Sequence, residues 1–329
     1  MKIAAWLAGV IVLIGVLIYT AFQASPWPSA LVVRSAFQSG GAATSRALEK
    51  HVPPGVSAQL NLRYDEADGD ARLDVFYPSA IEKSDQALPT VVWVHGGGWV
   101  AGNKNDIANY ARILAARGYT VVGVNYSIAP GATYPVPVRQ VNAALGYLAK
   151  NAQPLHIDAK RFVLAGDSAG AHIASQAANA ISVPSYAKAL GIVPAIDRGQ
   201  LIGVLLYCGA YDMRSVSLDG QFGNFLKTVL WSYSGGRDFM ENPAFATASV
   251  VNYVTVRFPP AFISAGNGDP LLLQSRHFAE VLGQRGVKVD SLFFPAGHSP
   301  PLGHEYQFDL DSAAGRQALE RSVKFLSGL

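Results

Sequence analysis

Cysteine is almost absent: Cys208 is the only one in 329 residues. A lone thiol excludes an intramolecular disulfide and argues against a cysteine-based metal site. Within LIGVLLYCG it reads as packing in a strand. Charge is also scarce, at 15% of residues, with 26 Lys and Arg against 23 Asp and Glu for a net +3. The basic residues are scattered, with no basic run and no basic–aromatic interleaving, so no nucleic-acid partner is expected. There is no internal repeat and no low-complexity tract. What remains is a chain that is half hydrophobic and long enough to bury a sizeable core as one α/β domain.

The longest uncharged stretch is residues 3–22, IAAWLAGVIVLIGVLIYTAF. As a helix it reaches roughly 30 Å, one hydrocarbon thickness. A signal peptide carries a shorter apolar region, about 7–15 residues, before an A-x-A-like site, and Phe22-Gln23-Ala24 fits such a site poorly. No cysteine follows for lipid attachment. The expectation is an N-terminal transmembrane helix within an anchor segment 1–24, with secretion after signal cleavage as the alternative. Lys2 precedes the span and the next basic residue is Arg34. The positive-inside rule then puts the large domain on the periplasmic, extracytoplasmic side. Residues 25–57 read as a connector with one or two short helices, broken at Gly40-Gly41.

From residue 58 onward the pattern changes. AQLNLRY (58–64) and ARLDVFY (71–77) alternate apolar and polar around Asp68-Gly69, as in a hairpin. Continuous apolar runs follow at 90–94, 120–124, 161–165, 201–207, 261–265 and 289–294, with amphipathic stretches between most of them. Continuous runs alternating with helices predict a doubly wound, mostly parallel sheet of about eight strands with an antiparallel start. Residues 208–255 form a long excursion carrying Tyr211, Phe222, Phe225, Trp231, Tyr233 and Phe239. It reads as a cap-like insertion over a site, with Trp99 and Trp231 as candidate walls of an apolar substrate pocket.

The chemistry concentrates at strand ends. RFVLA runs into Gly166-Asp167-Ser168-Ala169-Gly170, and a helix follows. G-x-S-x-G between strand and helix is the nucleophile-elbow pattern, which holds the serine hydroxyl out at the carboxyl edge of the sheet. A serine needs a general base, a group that orients the base, and donors for an oxyanion. VVWV is followed at once by His95-Gly96-Gly97-Gly98-Trp99, a loop whose N–H groups are free of side-chain obstruction. It is not a phosphate loop, since no Lys-Ser/Thr follows and G-x-G-x-x-G is absent. Asp167, next to the serine, reads as structural.

HGGGW, NYSIAP (125–130), GDSAG and GNGDP (266–270) occur in order. On these motifs residues 58–329 resemble the α/β-hydrolases of the hormone-sensitive-lipase-like and bacterial carboxylesterase group. The resemblance implies Ser168 as nucleophile and the backbones of Gly97, Gly98 and Ala169 as oxyanion donors. One departure is Gly131, where such proteins often have Glu. Triad order in this fold is Ser, then Asp or Glu, then His. Asp269, after the next-to-last strand, is the expected acid, with Asp212 as competitor. The base then lies in FFPAGHSPPLGHEYQFDL. His304 is the expected residue because the aromatic stretch after it packs the loop, and Leu-x-His-Glu-Tyr-Gln-Phe resembles the histidine motif of a bacterial subgroup; His298 is the competitor. The expected function is a serine hydrolase cleaving carboxylic esters through an acyl-enzyme, active as pH rises through roughly 6–8. No metal and no organic cofactor is implied. The partners are a small-molecule ester and, through residues 3–22, a membrane. The alternatives are an amide hydrolase, arylformamidase-like or aminopeptidase-like, and a membrane-tethered non-catalytic binding module.

Overall fold

The computed structural model describes residues 2–329. In helix α1 (Lys2–Ala24), residues 3–24 are exposed except half-buried Val10, and Ile3–Ala24 is long and apolar enough to cross a membrane. Helix α2 (Trp27–Leu48) follows after a two-residue turn and has Pro28 in its first turn, where a proline loses no helical hydrogen bond. It runs unbroken through Gly40-Gly41, which corrects the expected break. Glycine costs helix stability, but a Cβ on Gly41 would sit 3.0 Å from Cγ of Asp106. The small residue lets the helix approach the domain instead of ending it.

An eight-stranded sheet forms the core: β1 (Val56–Arg63), β2 (Arg72–Pro78), β3 (Leu88–Val94), β4 (Thr120–Val124), β5 (Ile157–Asp167), β6 (Leu201–Tyr207), β7 (Ala261–Ala265) and β8 (Val289–Phe293), in the spatial order β1-β2-β4-β3-β5-β6-β7-β8. β1 pairs with β2, and β2 with β4, antiparallel; every later pair is parallel. Helices α3 (Ala108–Ala115), α4 (Val136–Lys150), α5 (Ala169–Ser182), α6 (Pro184–Leu190), α8 (Leu272–Gln284) and α9 (Ala313–Ser327) cover the two faces, and α7 (Gly220–Ser234) lies in the long excursion after β6. Two buried clusters, one on each face, account for the continuous apolar runs. Both faces of a central strand are covered, so alternation is lost.

The topology fixes where a ligand fits. After β3 the chain crosses to β4 on one side, then returns to place β5 on the other. Ligands bind outside the carboxyl ends of strands at such a reversal. The two loops that leave it are those after β3 and β5, HGGGW and GDSAG.

Candidate active site

Ser168 sits between β5 and α5 with φ 52° and ψ −121°. A non-glycine residue at positive φ is strained, and here the strain turns the hydroxyl outward. The flanking glycines make the turn possible. A Cβ on Gly166 would stand 2.5 Å from the carbonyl carbon of Gly170, and one on Gly170 would run into the carbonyl oxygens of Val94 and His95. Strand β5, helix α5 and the end of β3 meet backbone to backbone.

His304 Nε2 lies 2.9 Å from Ser168 Oγ, and His304 Nδ1 lies 2.9 Å from Asp269 Oδ2. The other carboxylate oxygen of Asp269 accepts the Leu271 N–H at 2.7 Å, and the carboxylate is fully buried. Burial disfavours charge on the imidazole. The Cys208 thiol and the Asp269 carboxylate beside it outweigh that, and its pKa stands well above the ordinary histidine value. The loop carrying His304 is held from both sides. Asn267 bridges it, donating to the His298 carbonyl at 3.0 Å and accepting from Leu302 N–H at 2.8 Å. Beyond His304, Tyr306 bonds Ser264 at 2.6 Å, and Phe308 packs on Trp93 and Tyr110. His298 stands apart, its ring edge-on to Phe294 and Nδ1 3.1 Å from the Pro300 carbonyl. Asp212 instead accepts a turn N–H from Arg214.

The glycine loop is braced by Asp167, which the sequence marks as structural, by Tyr126 of NYSIAP, and by partners that the sequence does not show. Asp167 accepts from the Trp93 indole at 2.7 Å and from Gly96 N–H at 2.8 Å, tying the elbow to the loop. Burial, then the nearby Glu305 carboxylate, push its pKa well above the usual value. Tyr126, from NYSIAP, donates to the His95 carbonyl at 3.0 Å. The Trp99 indole donates to His172 Nδ1 at 3.1 Å, while His172 Nε2–H reaches the Ala248 carbonyl at 2.8 Å. Burial lowers the His172 pKa to about 4, so it stays neutral and can accept. The Trp99 ring also stacks on Tyr233. No sequence signal separates His172 from any other polar residue on a buried helix.

Ser168 and His304 open into a cavity of about 300 Å³ shared with Gly97, Gly98, Trp99 and Ala169. Its apolar walls are Phe37 of α2 and Phe222, Phe225 and Leu226 of α7. Trp231 is not among its walls, which corrects the expectation for that residue. On a helix of 100° per residue it points away from Phe222 and Leu226, and the Arg237 guanidinium covers its ring at 4.1 Å. Phe37 comes from the segment expected to be a mere connector. Arg34 of the same helix donates to the Val100 and Ala129 carbonyls at 2.8 and 2.9 Å, fastening α2 beside the HGGGW loop. A second cavity of about 310 Å³ lies on the other side of His304, with His95, Asp106, Asp167 and Glu305 in its walls.

Sheet, elbow and glycine loop together define a serine esterase of the hormone-sensitive-lipase-like group of α/β-hydrolases. More narrowly, a family model described as BD-FAE matches residues 73–282, and the chain belongs to that family. Among solved structures it is similar to esterase B from Lactobacillus rhamnosis, at 26% identity and TM-score 0.76, covering 92% of this chain and 96% of that one. That enzyme is also known in a form inhibited by a tributyrin phosphonate. The fold is shared with the metagenomic carboxylesterase EstE1, at 22% identity and TM-score 0.69, covering 93% of this chain and 97% of that one.

Proposed function

We propose that the chain hydrolyses carboxylic esters with Ser168 as nucleophile, His304 as general base and acid, and Asp269 as the group that orients the imidazole. The observation that carries this is one imidazole 2.9 Å from a hydroxyl on one side and 2.9 Å from a buried carboxylate on the other, at the mouth of an apolar cavity. Ser168 Oγ attacks the ester carbonyl as its proton passes to His304 Nε2. The oxyanion is held by the N–H groups of Gly97, Gly98 and Ala169, the last at the positive end of α5. His304 then returns the proton to the leaving alcohol, and water repeats the sequence to free the acid. The acyl group occupies the cavity walled by Phe225 and Trp99, and the alcohol leaves on the more polar side, towards Glu305. The tributyrin phosphonate on esterase B supports a short-acyl glycerol ester as a substrate type. Purified protein should cleave p-nitrophenyl butyrate and be labelled by a fluorophosphonate. Ser168→Ala should abolish both. Equal hydrolysis by the folded variant sinks the assignment.

The same reading keeps α1 as an uncleaved anchor, with the catalytic domain on the extracytoplasmic side because Lys2 precedes the span. Full-length protein should then resist extraction by alkaline carbonate. Its release would count against a spanning helix.

A further inference from the structure

Among the described residues outside α1, nine large apolar side chains are exposed. Five are scattered singly over the domain, and the other four, Trp27, Leu31, Val32 and Phe37, lie on α2, at 44, 51, 64 and 39% exposure. The first three belong to its first six residues, directly after α1. Further along the same outward face stand Ser35, Gln38 and Ser39, all exposed. The apolar surface therefore fades with distance from the candidate span. No acidic residue occurs along α1 and α2, and on the domain side of the span Arg34 and Arg46 occur. Arg237 lies over the Trp231 ring and reaches Gln23 at the end of α1. Tryptophan and arginine beside the end of an apolar helix are typical of a membrane interface.

We infer that the first two turns of α2 lie in the lipid interface next to the anchor, and that the substrate is an acyl ester supplied by that bilayer. Phe37 links the two ends of this inference. It is six residues beyond Leu31, about 9 Å along the helix, and it walls the cavity at Ser168. Its ring meets Phe225 edge-on at 5.6 Å. One helix thus presents aliphatic side chains to the lipid near its start and an aromatic wall to the acyl chain farther on. Continuity with α1 and the lack of acidic residues along α1 and α2 favour a lipid surface over a second copy of the chain. The inference rests on the ester reading above.

The test uses full-length protein in phosphatidylethanolamine–phosphatidylglycerol vesicles. Cys208 is buried and does not compete for label, so an environment-sensitive fluorophore is attached to the native protein through Leu31→Cys and, separately, Gln38→Cys. The expected result is a blue-shifted, lipid-like emission at 31 and a water-like one at 38. Leu31→Glu with Val32→Glu should slow hydrolysis of a long-chain ester dissolved in the vesicles by about tenfold, the factor expected when two half-exposed aliphatic side chains leave an apolar interface. The rate on water-soluble p-nitrophenyl acetate should not change. Water-like emission at 31, equal slowing of both substrates, or efficient disulfide cross-linking between two Leu31→Cys chains would overturn the inference, the last by pointing to a second copy. Failure of the ester reading looks different: wild-type protein would cleave neither ester, while the fluorophore would still report where α2 lies.

Discussion

Replacing Asp269 by asparagine separates the geometry of the site from its chemistry. The side chain keeps its size, and its carbonyl oxygen can keep the 2.7 Å bond from Leu271 N–H. Its amide N–H then faces His304 Nδ1, where the carboxylate oxygen lay at 2.9 Å. A donor there forces Nδ1 to accept, so the imidazole proton moves to Nε2, towards Ser168. In that tautomer the ring cannot take the serine proton. Flipping the amide restores the tautomer but sets two N–H groups against each other at Leu271, a buried mismatch of about 1–3 kcal/mol. The same change in a serine protease lowers kcat by about 10⁴, equivalent to roughly 5.4 kcal/mol of barrier. Asp269→Asn should lower kcat for p-nitrophenyl butyrate by three to four orders of magnitude with little change in KM. The pH profile provides a second readout. On the proposed mechanism the base form of His304 is the active one, so activity rises through its pKa. Asp269 helps hold that pKa well above the ordinary value, and the wild-type rise should lie above pH 6.5. Without the carboxylate the residual rise should move to lower pH. A folded variant, judged by near-ultraviolet circular dichroism, that loses less than tenfold in kcat or keeps its profile in place would refute the reasoning.

Phe225→Ala should enlarge the cavity and shift kcat/KM towards longer acyl chains, whereas Trp231→Ala should leave the chain-length profile as it is; a p-nitrophenyl ester series read on both variants decides. Lys104 Nζ donates to Asp74 at 2.8 Å with both side chains at most 5% exposed. Lys104→Met leaves that carboxylate buried and unpaired, which should cost about 3–5 kcal/mol, and a thermal melt unchanged from wild type would contradict it.

The sheet was legible because each central strand is a short, continuous apolar run, the pattern of a strand covered on both faces. Helix α6 was not anticipated; with seven residues it gives too little periodicity to register. Ser168 was legible because two glycines and a strand–helix boundary leave few other conformations for the residue between them. Asp269 and His304 depended on chain order and on text next to strand ends. Asp167 was legible as a structural residue, but the partners of the bracing groups were not. Asp167, His172 and Asn267 act through partners 74, 76 and 35 positions away, and nothing local encodes such a pairing. Trp231 shows the reverse failure. Its composition suited a pocket wall, but the face of the helix decides, and the register of α7 against the sheet is a tertiary fact.

Helix α2 shows why composition alone does not separate a connector from a packed helix. Two adjacent glycines and a proline-rich start look like a linker, because glycine weakens an isolated helix. In the fold the helix is not isolated. Arg34 fastens it to the carbonyls of Val100 and Ala129, and Gly41 lets it approach Asp106. A Cβ placed on Gly131, the departure from the AP-Glu text, would be 3.9 Å from the Trp27 ring. A glutamate there would bring a carboxylate towards that indole, next to the apolar start of the helix. The same helix then carries Phe37 into the cavity at Ser168. Helix α2 therefore packs as part of the fold that encloses this cavity, and a fragment beginning at residue 58 would lack its Phe37 wall.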